Sequence, residues 1–100
     1  MAIAVVQVFH GGTLEQYDQV IANLKFTPGG QGAPGGLFHW VTASDGDIRI
    51  TDVWESRETF EAYARDHIGP ATAAAGVQGP PEVTFYDVHN YLTAGQQTRT

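Results

Sequence analysis

The chain has 100 residues, 42% of them hydrophobic, with twelve glycines, no cysteine and a net charge of −6. That length holds one two-layer core, and the hydrophobic content excludes a disordered chain. No apolar run reaches the ~20 residues of a membrane span, missing cysteines exclude disulfides and thiolate chemistry, and basic residues scattered singly give no footprint for nucleic-acid phosphates.

Residues 2–9 are short, apolar and rich in Val and Ile, the pattern of a buried strand. His10-Gly11-Gly12 ends it. Thr13 with Gln16 forms a capping box, and Leu14, Tyr17, Val20, Ile21 and Leu24 follow at helical spacing, so a helix with one buried stripe is predicted over 14–25. Residues 27–36 hold five Gly and two Pro and cannot continue it. Strands are predicted over 37–42 and 48–54, joined by a turn in which Asp45-Gly46 supplies positive φ. Ser56 caps a second helix lined by Phe60, Tyr63, Ala64, His67 and Ile68. Gly69-Pro70 is expected to break it, with a short further turn over 71–75. After the rigid Gly79-Pro80-Pro81, residues 82–92 read as a long last strand.

Residues 1–93 form a single domain in this reading, and the small polar residues 94–100 a flexible tail. The opening segment has neither a basic start nor a small-residue cleavage site, so the expected location is cytoplasmic.

The order β-α-β-β-α-β is the ferredoxin-like arrangement, an α+β fold with a four-stranded antiparallel sheet and two helices on one face. Ile3, Val5, Gln7 and Phe9 point one way and Ala4, Val6 and Val8 the other. Leu37, His39 and Val41 likewise oppose Phe38 and Trp40. Both faces carry large residues, so the face without helices needs a cover, and a homodimer with sheets packed face to face is expected.

Two segments resemble a known superfamily. They are Ile50-Thr51-Asp52-Val53-Trp54-Glu55-Ser56, running into Arg57-Glu58-Thr59-Phe60-Glu61-Ala62-Tyr63, and the closing strand Val83-Thr84-Phe85-Tyr86-Asp87-Val88-His89-Asn90. The chain resembles the dimeric α+β barrel proteins, and among them the antibiotic-biosynthesis monooxygenase-like family. The resemblance implies a dimeric barrel and chemistry ranging from cofactor-free oxygenation of aromatic polyketides to heme degradation, isomerisation and cyclisation. Oxygenases of the family commonly place Asn on the first strand, Trp near the second helix and Tyr or His on that helix. This chain offers Gln7, Trp54, and Tyr63 or His67. Gln in place of Asn is a departure that weakens the transfer of activity.

The residues with catalytic chemistry are His39, Asp52, Asp87 and His89. If they share the non-helical face with Gln7 and Trp54, they line a polar floor in an apolar pocket, where a His beside a carboxylate acts as a general base. The plainer account is that they satisfy one another at wet strand ends. Two His and two Asp also suit a metal, but no local ligand spacing supports one, and none is expected. His67 is either a buried or dipole-paired side chain or a pocket residue. In heme-degrading relatives the helical His ligates iron, and without the first-strand Asn no heme or other cofactor is expected here. Trp40, Phe60 and Tyr86 are assigned to the core, Trp54 and Tyr63 to core or pocket. The Gly-rich connection lacks the Lys and Ser/Thr of a phosphate loop, leaving a lid over the cavity or a plain connector.

The expected function is a small cofactor-independent monooxygenase-like enzyme for a hydrophobic or aromatic small molecule. His39 or His89 is the base, oriented by Asp52 or Asp87, and Gln7, Trp54, Tyr63 and His67 contact substrate. The alternatives are a non-catalytic dimer that binds a small molecule and a structural dimer whose cavity is filled by its own side chains.

Overall fold

In the computed structural model, which describes residues 1–92 and Gly95, strand β1 (Ile3–His10) lies inside the sheet. It pairs antiparallel with β3 (Asp47–Trp54) on one side and β4 (Glu82–Asp87) on the other. β2 (Gly36–Ser44) pairs antiparallel with β3, giving the order β2-β3-β1-β4 of the ferredoxin-like fold. The expected tail over 94–100 lies outside the described residues except for Gly95. Among the described residues no helix is long and apolar enough to cross a membrane.

Local chemistry fixes the turns. Asp45 and Gly46 both take positive φ, 53° and 80°, and close the β2–β3 hairpin with the twist that its strands require. The pairing thus runs farther than the predicted 37–42 and 48–54, to Ser44 opposite Asp47. Helix α1 (Leu14–Asn23) starts in the expected capping box: Thr13 Oγ1 accepts from the Gln16 N–H, and Gln16 Oε1 accepts from the Thr13 N–H. It ends two residues earlier than predicted. The Lys25 and Phe26 N–H groups turn back to the Ala22 and Ile21 carbonyls, with Lys25 at φ 65°, a Schellman closure made without glycine. Leu14, expected in the buried stripe, is exposed.

Ser56 caps α2 (Arg57–Tyr63) through the Thr59 N–H. The predicted break at Gly69-Pro70 does not occur. A π turn over Ala64–Ile68, marked by the Gly69 N–H bonding the Ala64 carbonyl, leads directly into α3 (Gly69–Ala74). Proline has no N–H and its ring crowds the carbonyl four residues back, so a widened turn just before Pro70 lets the helix pass through it.

Trp54, Phe60 and Val5 form the core between sheet and helices, with Ile3, Tyr63, Ile68 and Phe85 around them. Phe60 meets Trp54 and Phe85 edge-on, at centroid distances of 5.6 and 5.8 Å. Of the three aromatics assigned to the core, only Phe60 is there. Trp40 and Tyr86 are 51% and 57% exposed, because strand alternation turns them to the face that no helix covers. The last strand also stops at Asp87, not at residue 92. Val88 still bonds the Ala2 carbonyl, and beyond it Tyr91 packs edge-on against Phe38.

Candidate active site

Three adjacent strands, β2, β3 and β1, build the site from one face. Alternation puts Gln7 of β1, His39 of β2 and Asp52 and Trp54 of β3 on a common side, and His39 lies directly opposite Asp52 in the β2–β3 register. That side faces the helices. The expectation that these residues share the non-helical face is therefore corrected. Periodicity fixes which residues stand together, but not which face the helices choose, and here the Trp54 indole packs under Phe60 of α2.

Between this face and α1 lies a cavity of about 590 Å³, lined by Gln7, Tyr17, His39, Asp52, Trp54 and Tyr63 among many apolar groups. The Gly-rich connection borders it from Thr27 to Ala33. A volume of this order suits an organic molecule of several rings.

Asp52 is 3% exposed. A buried carboxylate is tolerated only where donors surround it. Oδ2 accepts from the Trp54 indole N–H at 3.2 Å, and Oδ1 lies 2.6 Å from His39 Nδ1. A carboxylate has no proton to give, so Nδ1 carries the hydrogen in this pair. In the neutral imidazole this leaves a lone pair on Nε2. The Tyr17 hydroxyl meets that nitrogen at 2.5 Å, with its ring nearly parallel to the imidazole. Burial, and then the charges of Asp52 and Asp18, push the Tyr17 pKa above the usual phenol value of 10.0. Tyr17 therefore stays an O–H donor. The result is an ordered chain, Trp54–Asp52–His39–Tyr17, in which the carboxylate sets the tautomer and the outer nitrogen is the basic atom.

The other candidates stand elsewhere. Tyr63 reaches the cavity beside Trp54, and burial raises its hydroxyl pKa. His67, 4.8 Å from Tyr63 between ring centroids, is exposed and lines a separate open hollow with Lys25 and Asp66. Asp87 and His89 are both exposed and outside the cavity. Their expected shared face needed a strand through residue 89, and β4 ends at Asp87. Among the described residues no group of three or more His, Cys, Asp or Glu could hold a metal ion.

No protein-family model matches the sequence, and no curated protein does. Solved structures match closely in shape. A candidate antibiotic biosynthesis monooxygenase from Chloroflexus aurantiacus superposes with a TM-score of 0.65 at 23% identity, over 95% of this chain and 100% of its own. A variant of SnoaB, a cofactor-independent oxygenase from Streptomyces nogalater, gives 0.61 at 15% identity, over 93% and 98%. The Streptomyces coelicolor monooxygenase ActVA-Orf6, in complex with nanaomycin D, gives 0.56 at 21%, over 94% and 92%. The chain has the antibiotic biosynthesis monooxygenase-like fold. At these identities the likeness carries the architecture, and the chemistry has to come from this chain's own residues.

Within that fold, Tyr17 is the site residue that sequence reading passed over. Its place in the apolar stripe of α1 reads as packing. Its signal was available: it is the single residue of the stripe Leu14, Tyr17, Val20, Ile21, Leu24 with a polar tip, and a buried Tyr hydroxyl finds a partner.

Proposed function

We propose that this chain is a small cofactor-independent monooxygenase-like enzyme that acts on a hydrophobic aromatic molecule, with His39 as general base. The observation that carries this reading is the buried Asp52 holding His39 so that Nε2 serves a largely apolar cavity. Oxygenation without a cofactor requires the substrate to supply the electrons. A deprotonated phenol or carbon acid is electron-rich enough to react with dioxygen, so the protein's part is to take the proton and exclude water. In balanced form, an activated CH2 and O2 become C=O and H2O, the first proton passing to the Tyr17 oxygen as Tyr17 hands its own to His39 Nε2. Gln7 of β1, two strands away from His39 and lining the same cavity, offers an amide N–H to the developing oxyanion. Trp54 and Tyr63 flank the ring system. The neighbours' names, a cofactor-independent oxygenase and a monooxygenase bound to nanaomycin D, favour the same class.

The reading includes a homodimer, formed through the sheet face that carries Trp40 and Tyr86, and a cytoplasmic setting. Its test is oxygen uptake with a panel of reduced polycyclic phenols, followed by His39→Ala. Loss of about 10²–10⁴-fold in rate is expected. A variant that turns over a confirmed substrate at the wild-type rate would remove His39 from the chemistry.

A further inference from the structure

We infer that the cavity sorts aromatic ligands by charge, admitting uncharged ones and excluding carboxylates, and that Asp18 is a specificity-determining residue at its wall. The inference rests on the cavity being the aromatic site proposed above. Three observations support it. No Lys or Arg lines the cavity among the described residues, while Asp18 and the buried Asp52 both do. Asp52 has its two donors inside the protein, Trp54 Nε1–H and His39 Nδ1–H, so neither is left over to meet a ligand's anion. The polar group beside Asp52 in the cavity lining, His39 Nε2, is held as an acceptor, with the neutral Tyr17 phenol hydrogen-bonded to it.

A carboxylate entering this space meets two fixed negative charges in a partly desolvated setting, an acceptor nitrogen, and no cation. Like charges brought together in such surroundings are strongly disfavoured. An uncharged phenol presents its O–H to the Tyr17 hydroxyl oxygen, which donates its own hydrogen to that nitrogen, and meets none of that repulsion. Asp18 follows Tyr17 on α1, and its charge reaches the Tyr17 hydroxyl. It is exposed and makes none of the hydrogen bonds of the Trp54–Asp52–His39–Tyr17 chain, so altering it leaves those bonds in place.

The test measures binding of 2-naphthol and 2-naphthoate near neutral pH to the full chain, by calorimetry, and repeats both with Asp18→Asn. Naphthol is expected to bind at least about tenfold more tightly, and the gap to narrow severalfold in the variant, through naphthoate alone. Naphthoate binding equal to or tighter than naphthol overturns the charge selection while leaving the aromatic site intact. A gap that Asp18→Asn does not change overturns the assignment to Asp18. If neither probe binds, the aromatic-site reading itself falls, and the inference falls with it.

Discussion

His39 and Asp52 face each other across the β2–β3 ladder, with Nδ1 and Oδ1 2.6 Å apart. The contact joins a half-exposed imidazole to a carboxylate sealed in the core, so the buried partner dictates the proton position on the accessible one. Asp52→Asn keeps the shape and reverses the instruction. With the Trp54 N–H still bound to its oxygen, the new amide presents N–H groups to Nδ1. The ring then takes the other tautomer, with Nε2 protonated and no longer basic. Activity should fall by about 10²–10⁴-fold, with a stability loss of only about 1–2 kcal/mol. Nitrogen NMR of His39 reads the tautomer directly. An unchanged tautomer in the variant would refute this account.

Gly35 joins the Gly-rich connection to β2 at φ 83°, and a Cβ there would sit 2.4 Å from Thr59 Cγ2 on α2. Gly35→Ala therefore meets both backbone strain and a collision. A loss of roughly 2–4 kcal/mol is expected. Adding Thr59→Ser removes the Cγ2 methyl but keeps the hydroxyl that meets Ser56. Denaturant unfolding should show the double variant recovering the steric part and keeping a residual loss of about 1 kcal/mol from the positive φ. If Gly35→Ala unfolds at the wild-type midpoint, the close approach is not a constraint.

Much of the architecture was legible because it rests on local signals. The Thr13–Gln16 box, the Asp45-Gly46 turn and the alternation on β1 all read correctly from the sequence. What could not be read depends on three-dimensional choices. Alternation put Asp52 and Trp54 on one face and allowed Gln7 and His39 to join them, but it was silent on strand register and on which side α1 would settle. Gly69-Pro70 looks like a stop by propensity, and a π turn passes through it. Val88 continues the Val- and aromatic-rich pattern of residues 82–87, yet the β1–β4 ladder ends where Ile3 meets Asp87. Tyr17 was hidden because its partner, His39, lies 22 residues away on another element.

His10 at the end of β1 bridges two neighbouring strands, with Nε2 2.9 Å from Glu82 and Nδ1 3.2 Å from Asp47. Hydrogen bonds to Glu82 first and Asp47 second, then their charges, raise its pKa above 6.5. The folded value exceeds the unfolded one, so folding is favoured by protonation. The contribution is complete below the unfolded value, provided the carboxylates remain charged, above about pH 4–5. It is lost as pH rises through the folded value. Thermal unfolding of wild type against His10→Gln should show wild type ahead at pH 5.5 and the two converging by pH 8.5. The fully exposed setting keeps the difference small, and high salt should shrink it further. A gap that grows with pH would reverse the sign and disprove the bridge.

Trp40 and Tyr86 stand on strands at opposite edges of the sheet, on the side opposite the helices, with Val6 and Val8 of β1 between them. A soluble monomer rarely leaves two large aromatics and a strip of valines open to water. Packing this face against the same face of a second copy is the economical cover, since a two-fold interface needs no surface beyond the one already present. The proposed homodimer should therefore scatter light at twice the 10.8 kDa chain mass. Trp40→Arg with Tyr86→Arg places four like charges in the assembled interface, and desolvating them unpaired should cost enough to give monomers at micromolar concentration. Circular dichroism of the double variant distinguishes dissociation from unfolding. Wild type measured at the mass of a single chain would end the dimer reading without touching the His39 site, which one chain builds alone.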